Sequence, residues 1–124
     1  MAKASLLIVD SDNHLAQIMA SFLNFCGFRV THTARKREAI KKLSFQRYSA
    51  VFIDPDLKKE TGDEILRAIA DKSGLNSKTP VILLAGSLDF KIADDVIPTI
   101  KQIIPKPFTL EDLIGALKNV NVEK

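Results

Sequence analysis

The sequence has no tryptophan, one tyrosine, one cysteine and no long hydrophobic run. A single cysteine cannot form an internal disulfide, and no Cys/His spacing of the kind that holds zinc accompanies it, which excludes thiol redox chemistry and a structural zinc site. Cys26 falls inside a helical apolar pattern and reads as a buried thiol. No apolar stretch approaches the roughly 20 residues needed to span a bilayer. The N-terminus Met1-Ala2-Lys3-Ala4-Ser5 runs directly into a strand-like segment and not a signal sequence, so a cytoplasmic protein with no membrane contact is expected.

Charge of one sign is also scarce. The 18 basic and 15 acidic residues leave a net charge of +3, too little to argue for direct nucleic-acid binding. The densest basic stretch, Arg35-Lys36-Arg37 with Lys41 and Lys42, shares a predicted helix with apolar Ala39, Ile40 and Leu43, which makes it a solvated helix face.

What is present is the composition of an ordinary globule: 46% hydrophobic and 27% charged over 124 residues, enough for one core but not two. With no repeat, low-complexity tract or linker, residues 1–124 read as a single domain. The polar end 119–124 is where an output domain of a longer protein would be joined.

Five short apolar runs recur: Leu6-Leu7-Ile8-Val9, Phe28-Arg29-Val30, Ala50-Val51-Phe52-Ile53, Val81-Ile82-Leu83-Leu84 and Ile100 to Ile104. Three lack alternation, as strands covered on both faces do. Helical periods lie between them. Leu15, Ile18, Met19, Phe22, Leu23 and Cys26 form the first stripe, and a second helix is expected from about Ala34 to Phe45 behind Thr33 as N-cap. Ile65, Leu66 and Ile69 mark a third. A fourth is expected behind Ser87, using Leu88, Ile92 and Val96 until Pro98 stops it. Thr109 and Asp112 resemble a capping box that opens the last helix. The pattern predicts an α/β fold, (βα)5, with a doubly wound five-stranded parallel sheet.

In such sheets ligands collect beyond the carboxyl ends of the strands. There the predicted strands end in Asp10-Ser11-Asp12, Asp54-Pro55-Asp56, Ala85-Gly86-Ser87 and Lys106-Pro107. Carboxylates crowded on one edge repel unless a cation neutralises them, and Mg²⁺, which takes one or two carboxylates and keeps several waters, suits Asp10 and Asp54. A carboxylate beside such an ion is also a nucleophile toward phosphorus, with Lys106 placed to neutralise the transferring oxygens.

Taken together, Leu-Leu-Ile-Val-Asp10, Phe-Ile-Asp54 with Gly62 beyond it, Thr79-Pro-Val-Ile-Leu-Leu and Pro105-Lys106-Pro107-Phe108-Thr109 resemble the receiver domain of two-component response regulators, over nearly the whole chain. The resemblance implies the flavodoxin-like receiver topology. It implies Asp54 as phospho-acceptor and Lys106 as phosphate partner. For the metal it implies Asp10, Asp54 and the backbone carbonyl of Asp56, and a cis bond before Pro107. It also implies a sensor histidine kinase or histidine phosphotransfer protein as donor, a downstream protein target or output domain, and room for a weak homodimer. Beyond self-phosphorylation and slow autodephosphorylation, no enzymatic turnover is implied.

Three positions depart from that pattern. Ser11 stands where the family has a second acid that binds the metal directly; Asp12 is an alternative ligand, though an Asp directly before a helical stripe is an ordinary N-cap. Ala85 replaces the switch hydroxyl and Ile103 its aromatic partner, so the relay that couples phosphate to a bistable surface is degenerate. Mg²⁺ binding is accordingly expected to be weak, and a pseudo-receiver acting as a phosphorylation-independent interaction module is the alternative. Ile53-Asp54-Pro55-Asp56 also resembles the nucleophile motif of haloacid-dehalogenase-type phosphatases, but that motif usually ends the first strand of a larger domain. His14 and His32 read as helix-surface and strand-end residues.

Overall fold

The apolar runs are too short and too β-branched for helices, and each is bounded by turn residues, so they pair into a sheet. In this computed structural model the described residues are 3–86 and 92–124. In chain order the elements are β1 (Ser5–Val9), α1 (Asn13–Phe25), β2 (Arg29–Thr33), α2 (Lys36–Phe45), β3 (Ala50–Ile53), β4 (Asp56–Leu57) and β5 (Glu60–Thr61). There follow α3 (Asp63–Ala70), β6 (Val81–Ala85), a 3₁₀ helix (Asp94–Thr99), β7 (Ile100–Pro105) and α4 (Leu110–Asn119).

Five strands form one parallel sheet in the order β2-β1-β3-β6-β7. The chain turns back on itself after β1, and its order reverses between β1 and β3, which is where a doubly wound sheet opens a crevice at its carboxyl edge.

Because successive strand residues point to opposite faces, each strand feeds two cores. Leu6, Ile8, Phe52, Ile82 and Leu84 pack under α1 and α4 with Ala16, Met19, Leu23, Leu113 and Leu117. Leu7, Val9, Val51, Ile53 and Leu83 pack under α2 and α3 with Ala39, Leu43, Ile65, Leu66 and Ile69. Phe52, fully buried at the centre, is a residue whose truncation to alanine costs about 3–5 kcal/mol.

The helix ends follow local chemistry. Asp12 caps α1, its carboxylate accepting from Leu15 N–H at 3.0 Å. Thr109 and Asp112 form the anticipated capping box at α4. At the opposite edge of the sheet, buried Asn76 donates to the carbonyls of Leu43 and Gln46 at 2.8 and 2.9 Å and accepts from Tyr48 N–H at 2.8 Å. The Thr79 hydroxyl completes this clamp, 2.9 Å from Asn76 Oδ1.

Several expectations are corrected. Thr33 is the last residue of β2 and not a cap; Arg35 occupies the N-cap of α2 without a side-chain bond, and Glu60 instead accepts from Lys36 N–H at 3.2 Å. The expected fourth helix is instead a 3₁₀ helix from Asp94 to Thr99 that contains Pro98, whose ring nitrogen has no N–H to donate and so does not favour a longer α-helix here. Ile92 and Ala93 precede it in non-helical conformation, and Ser87 and Leu88 lie outside the described residues. The second strand begins at Arg29, one residue later than the apolar run. Cys26 is half-buried at the C-cap of α1. Unforeseen was the small antiparallel hairpin β4–β5, in which Lys58 takes a φ of +60° at the turn.

Candidate functional site

Three strand ends deliver the site. The ladder continues one residue past each strand: Asp10 N–H donates to Thr33 O at 3.1 Å, Asp54 N–H to Val9 O at 2.9 Å, and Lys106 N–H to Ala85 O at 2.8 Å. The backbone at each functional residue is thus fixed by the sheet. The bond between Lys106 and Pro107 is cis, as the resemblance implied.

On this frame the side chains converge. Lys106 Nζ lies 2.6 Å from Asp54 Oδ2 and 3.0 Å from Asp10 Oδ2, while the other carboxylate oxygens accept backbone N–H groups, Asp56 to Asp54 Oδ1 at 2.8 Å and Asp12 to Asp10 Oδ1 at 2.9 Å. Asp10 is 1% exposed and Asp54 8%. Burial alone pushes the Lys106 ammonium toward losing its proton, but its hydrogen bonds and attraction to Asp54 and Asp10 outweigh that and raise its pKa.

Gly62 packs against the residues on either side of Asp54. A Cβ there would stand 3.2 Å from Pro55 Cα and 3.3 Å from Ile53 Cδ1, and the Gly62 N–H donates to Pro55 O at 3.0 Å. A side chain at this point would press directly on the peptide that follows Asp54.

Of the residues singled out in the sequence, the structure brings Asp10, Asp54 and Lys106 together. Asp56, first residue of β4, is exposed and anchors Asp54 through its N–H. Asp12 is exposed and engaged as the α1 cap, Ser11 is half-buried beside Asp10, Ala85 is buried at the end of β6, and Ile103 is half exposed on β7. His32 belongs to the site's frame, although it read as an ordinary strand-end residue: its Nε2 lies 2.9 Å from the Asp10 carbonyl oxygen. A polar residue on the strand beside β1, near the carboxyl edge, was the only signal for it.

The donor set suits a hard cation that takes few protein ligands. Asp10 and Asp54 lie on either side of the Lys106 ammonium, and each of their oxygens keeps a lone pair beyond its single hydrogen bond. Among the described residues no cluster of three or more His, Cys, Asp or Glu side chains gathers around a common point. The arrangement therefore fits Mg²⁺ held by two carboxylates and waters, and not an all-protein cage.

This geometry has relatives. The chain is 27% identical over 115 residues to the regulatory protein VirG of Agrobacterium fabrum, an alignment covering 90% of this chain and 44% of that protein. The chain therefore spans less than half of that relative's length. A CheY-like response regulator receiver domain from Methylobacillus flagellatus superposes with a TM-score of 0.82 at 18% identity, over 97% of this chain and all of that one. The receiver domain of the Pseudomonas aeruginosa sensor histidine kinase PA1611, whose structure holds magnesium in its active-site cleft, gives 0.78 at 25% identity over 96% of this chain and 98% of that one. Residues 6–118 match the response regulator receiver domain family. With the five-stranded parallel order in agreement with that match, the chain belongs to the response regulator receiver domains of two-component systems.

Proposed function

We propose that this receiver accepts a phosphoryl group on Asp54. The observation that carries the reading is the single ammonium of Lys106 within hydrogen-bond distance of both buried carboxylates. That cation offsets charge on the acceptor and stays beside it to pair with phosphoryl oxygens. A carboxylate oxygen of Asp54 attacks phosphorus as the P–N bond of a donor phosphohistidine breaks. The electron pair returns to the imidazole nitrogen, which takes up a proton. Asp10, Asp54 and the Asp56 carbonyl are the groups that would hold Mg²⁺, whose contribution when bound is neutralisation of the transferring oxygens. Asp12, engaged as a helix cap, is the weaker candidate, and with Ser11 in place of an acid the affinity for metal is low.

The donor in this reading is a sensor histidine kinase or phosphotransfer protein of the cytoplasm, and the response is delivered to a protein target or attached output domain, with no nucleic acid bound by this domain. Incubation with Mg²⁺ and acetyl phosphate, followed by intact mass, is the test. An added phosphoryl mass that Asp54→Asn abolishes is expected, and no adduct under conditions that label an ordinary receiver defeats the proposal.

A second reading is favoured by Ala85 and Ile103. The Ala85 methyl offers no hydroxyl to a phosphoryl oxygen, and Ile103 is half exposed on β7 with no ring to move. On that reading the domain docks its partner constitutively. Magnesium titration followed by amide NMR separates the two: shifts around Asp10 and Asp54 support phosphoryl acceptance, and silence there supports constitutive docking.

A further inference from the structure

Parallel pairing dictates a bond at Asp10 that the backbone does not supply. Val9 pairs with Thr33, and Asp10 N–H donates to Thr33 O at 3.1 Å. In a parallel ladder the next bond runs from the residue-35 N–H to the Asp10 carbonyl. Here the chain has already turned toward α2, and Arg35 N–H lies 3.5 Å from Thr33 Oγ1 instead. The Asp10 carbonyl belongs to a residue only 1% exposed, where an acceptor without a donor is unfavourable. The His32 ring fills the gap, its Nε2 2.9 Å from that oxygen. A carbonyl can only accept, so Nε2 carries the hydrogen.

We propose that His32 is a positioning residue for Asp10, a side-chain rung that replaces a missing rung of the sheet and keeps the Asp10 carboxylate turned toward Lys106. Its role rests on the reading of Asp54 as phospho-acceptor. With His32 in place, the N–H, the carbonyl and both carboxylate oxygens of Asp10 are all engaged, by Thr33, His32, Asp12 and Lys106. Without it, the peptide after Asp10 is free to rotate, and the carboxylate leaves the line between Lys106 and the acceptor. Glutamine can present an amide N–H at nearly the reach of imidazole Nε2; asparagine and leucine cannot.

The test compares the initial rate of adduct formation from acetyl phosphate in the wild-type chain and in His32→Gln, His32→Asn and His32→Leu, with ring ¹⁵N shifts of His32 in the wild type. We expect the Nε2–H form, a glutamine variant near the wild-type rate, and asparagine and leucine variants about tenfold slower, the scale on which groups that orient a site's ligands act. A leucine variant as fast as wild type, a glutamine variant as slow as asparagine, or a ring protonated only at Nδ1 overturns the inference. If His32→Leu does not fold, the glutamine–asparagine contrast and the ring shifts decide. A wild-type chain that takes no phosphoryl group at all refutes the reading of Asp54, an outcome distinct from every failure of His32.

Discussion

The ammonium of Lys106 sits 2.6 Å from Asp54 Oδ2 and 3.0 Å from Asp10 Oδ2, one cation serving two buried carboxylates. Removing it leaves two like charges facing each other with little water. Lys106→Met is expected to lose the adduct and about 1–2 kcal/mol of stability, less than a fully buried pair because the Lys106 side chain is 20% exposed. Urea unfolding and intact mass read the two effects.

The same contacts set a pH dependence. Lys106 has a pKa raised above the ordinary 10.5: burial opposes the charge, but the hydrogen bonds of Asp54 and Asp10 overcome it. A raised pKa on a basic group contributes stability fully present below 10.5 and lost as pH climbs through the higher folded value. The stability gap between wild type and Lys106→Met should therefore be constant near neutrality and close above that point, as followed by urea unfolding at stepped alkaline pH.

Asp12 offers a clean separation of cap from ligand. Asp12→Ala should destabilise the domain by about 1 kcal/mol, whereas Asp12→Asn, which can still accept from Leu15 N–H, should leave it nearly unchanged. Both should form the adduct at the wild-type rate. A tenfold loss in Asp12→Asn at limiting Mg²⁺ would place this carboxylate on the metal after all.

The Asn76 clamp predicts a larger loss. Asn76→Ala strands two carbonyls, those of Leu43 and Gln46, and the Tyr48 N–H, at about 1–3 kcal/mol for each group left without water. A lowering of the unfolding free energy by about 3 kcal/mol is expected. Calorimetry checks it.

Lys58 holds a φ of +60° at the first turn position of the β4–β5 hairpin, a place that favours glycine. Lys58→Gly should stabilise the domain by about 0.5 kcal/mol, the relief of left-handed strain exceeding the added chain freedom. A loss in chemical denaturation would show that the lysine side chain matters more than its backbone.

The parts of the fold legible in the sequence were those with a sustained apolar run or a helical stripe. Leu6 to Val9 and Ala50 to Ile53 are apolar on both faces because both faces are covered, and Asp10, Asp54 and Lys106 follow such runs directly. The hairpin had no period to show, since two-residue strands leave no pattern and a lysine at positive φ gives no turn signal. Ile92 and Val96 mimicked a helical stripe, while the proline at 98 fits a 3₁₀ turn as well as it ends an α-helix. His32 escaped notice for a different reason. Its importance depends on where the neighbouring strand runs out of backbone donors, a property of pairing register and not of local composition.

The partners that meet at Lys106 are separated by 96 residues from Asp10 and 52 from Asp54. No local segment contains any two of them, and the lysine lies beyond the last strand. The convergence therefore depends on long-range closure of the chain, with Lys106 supplied from just beyond an edge strand of the sheet. A chain ending before residue 106 would keep Asp10 and Asp54 but lack the one ammonium that joins them, leaving two neighbouring carboxylates uncompensated.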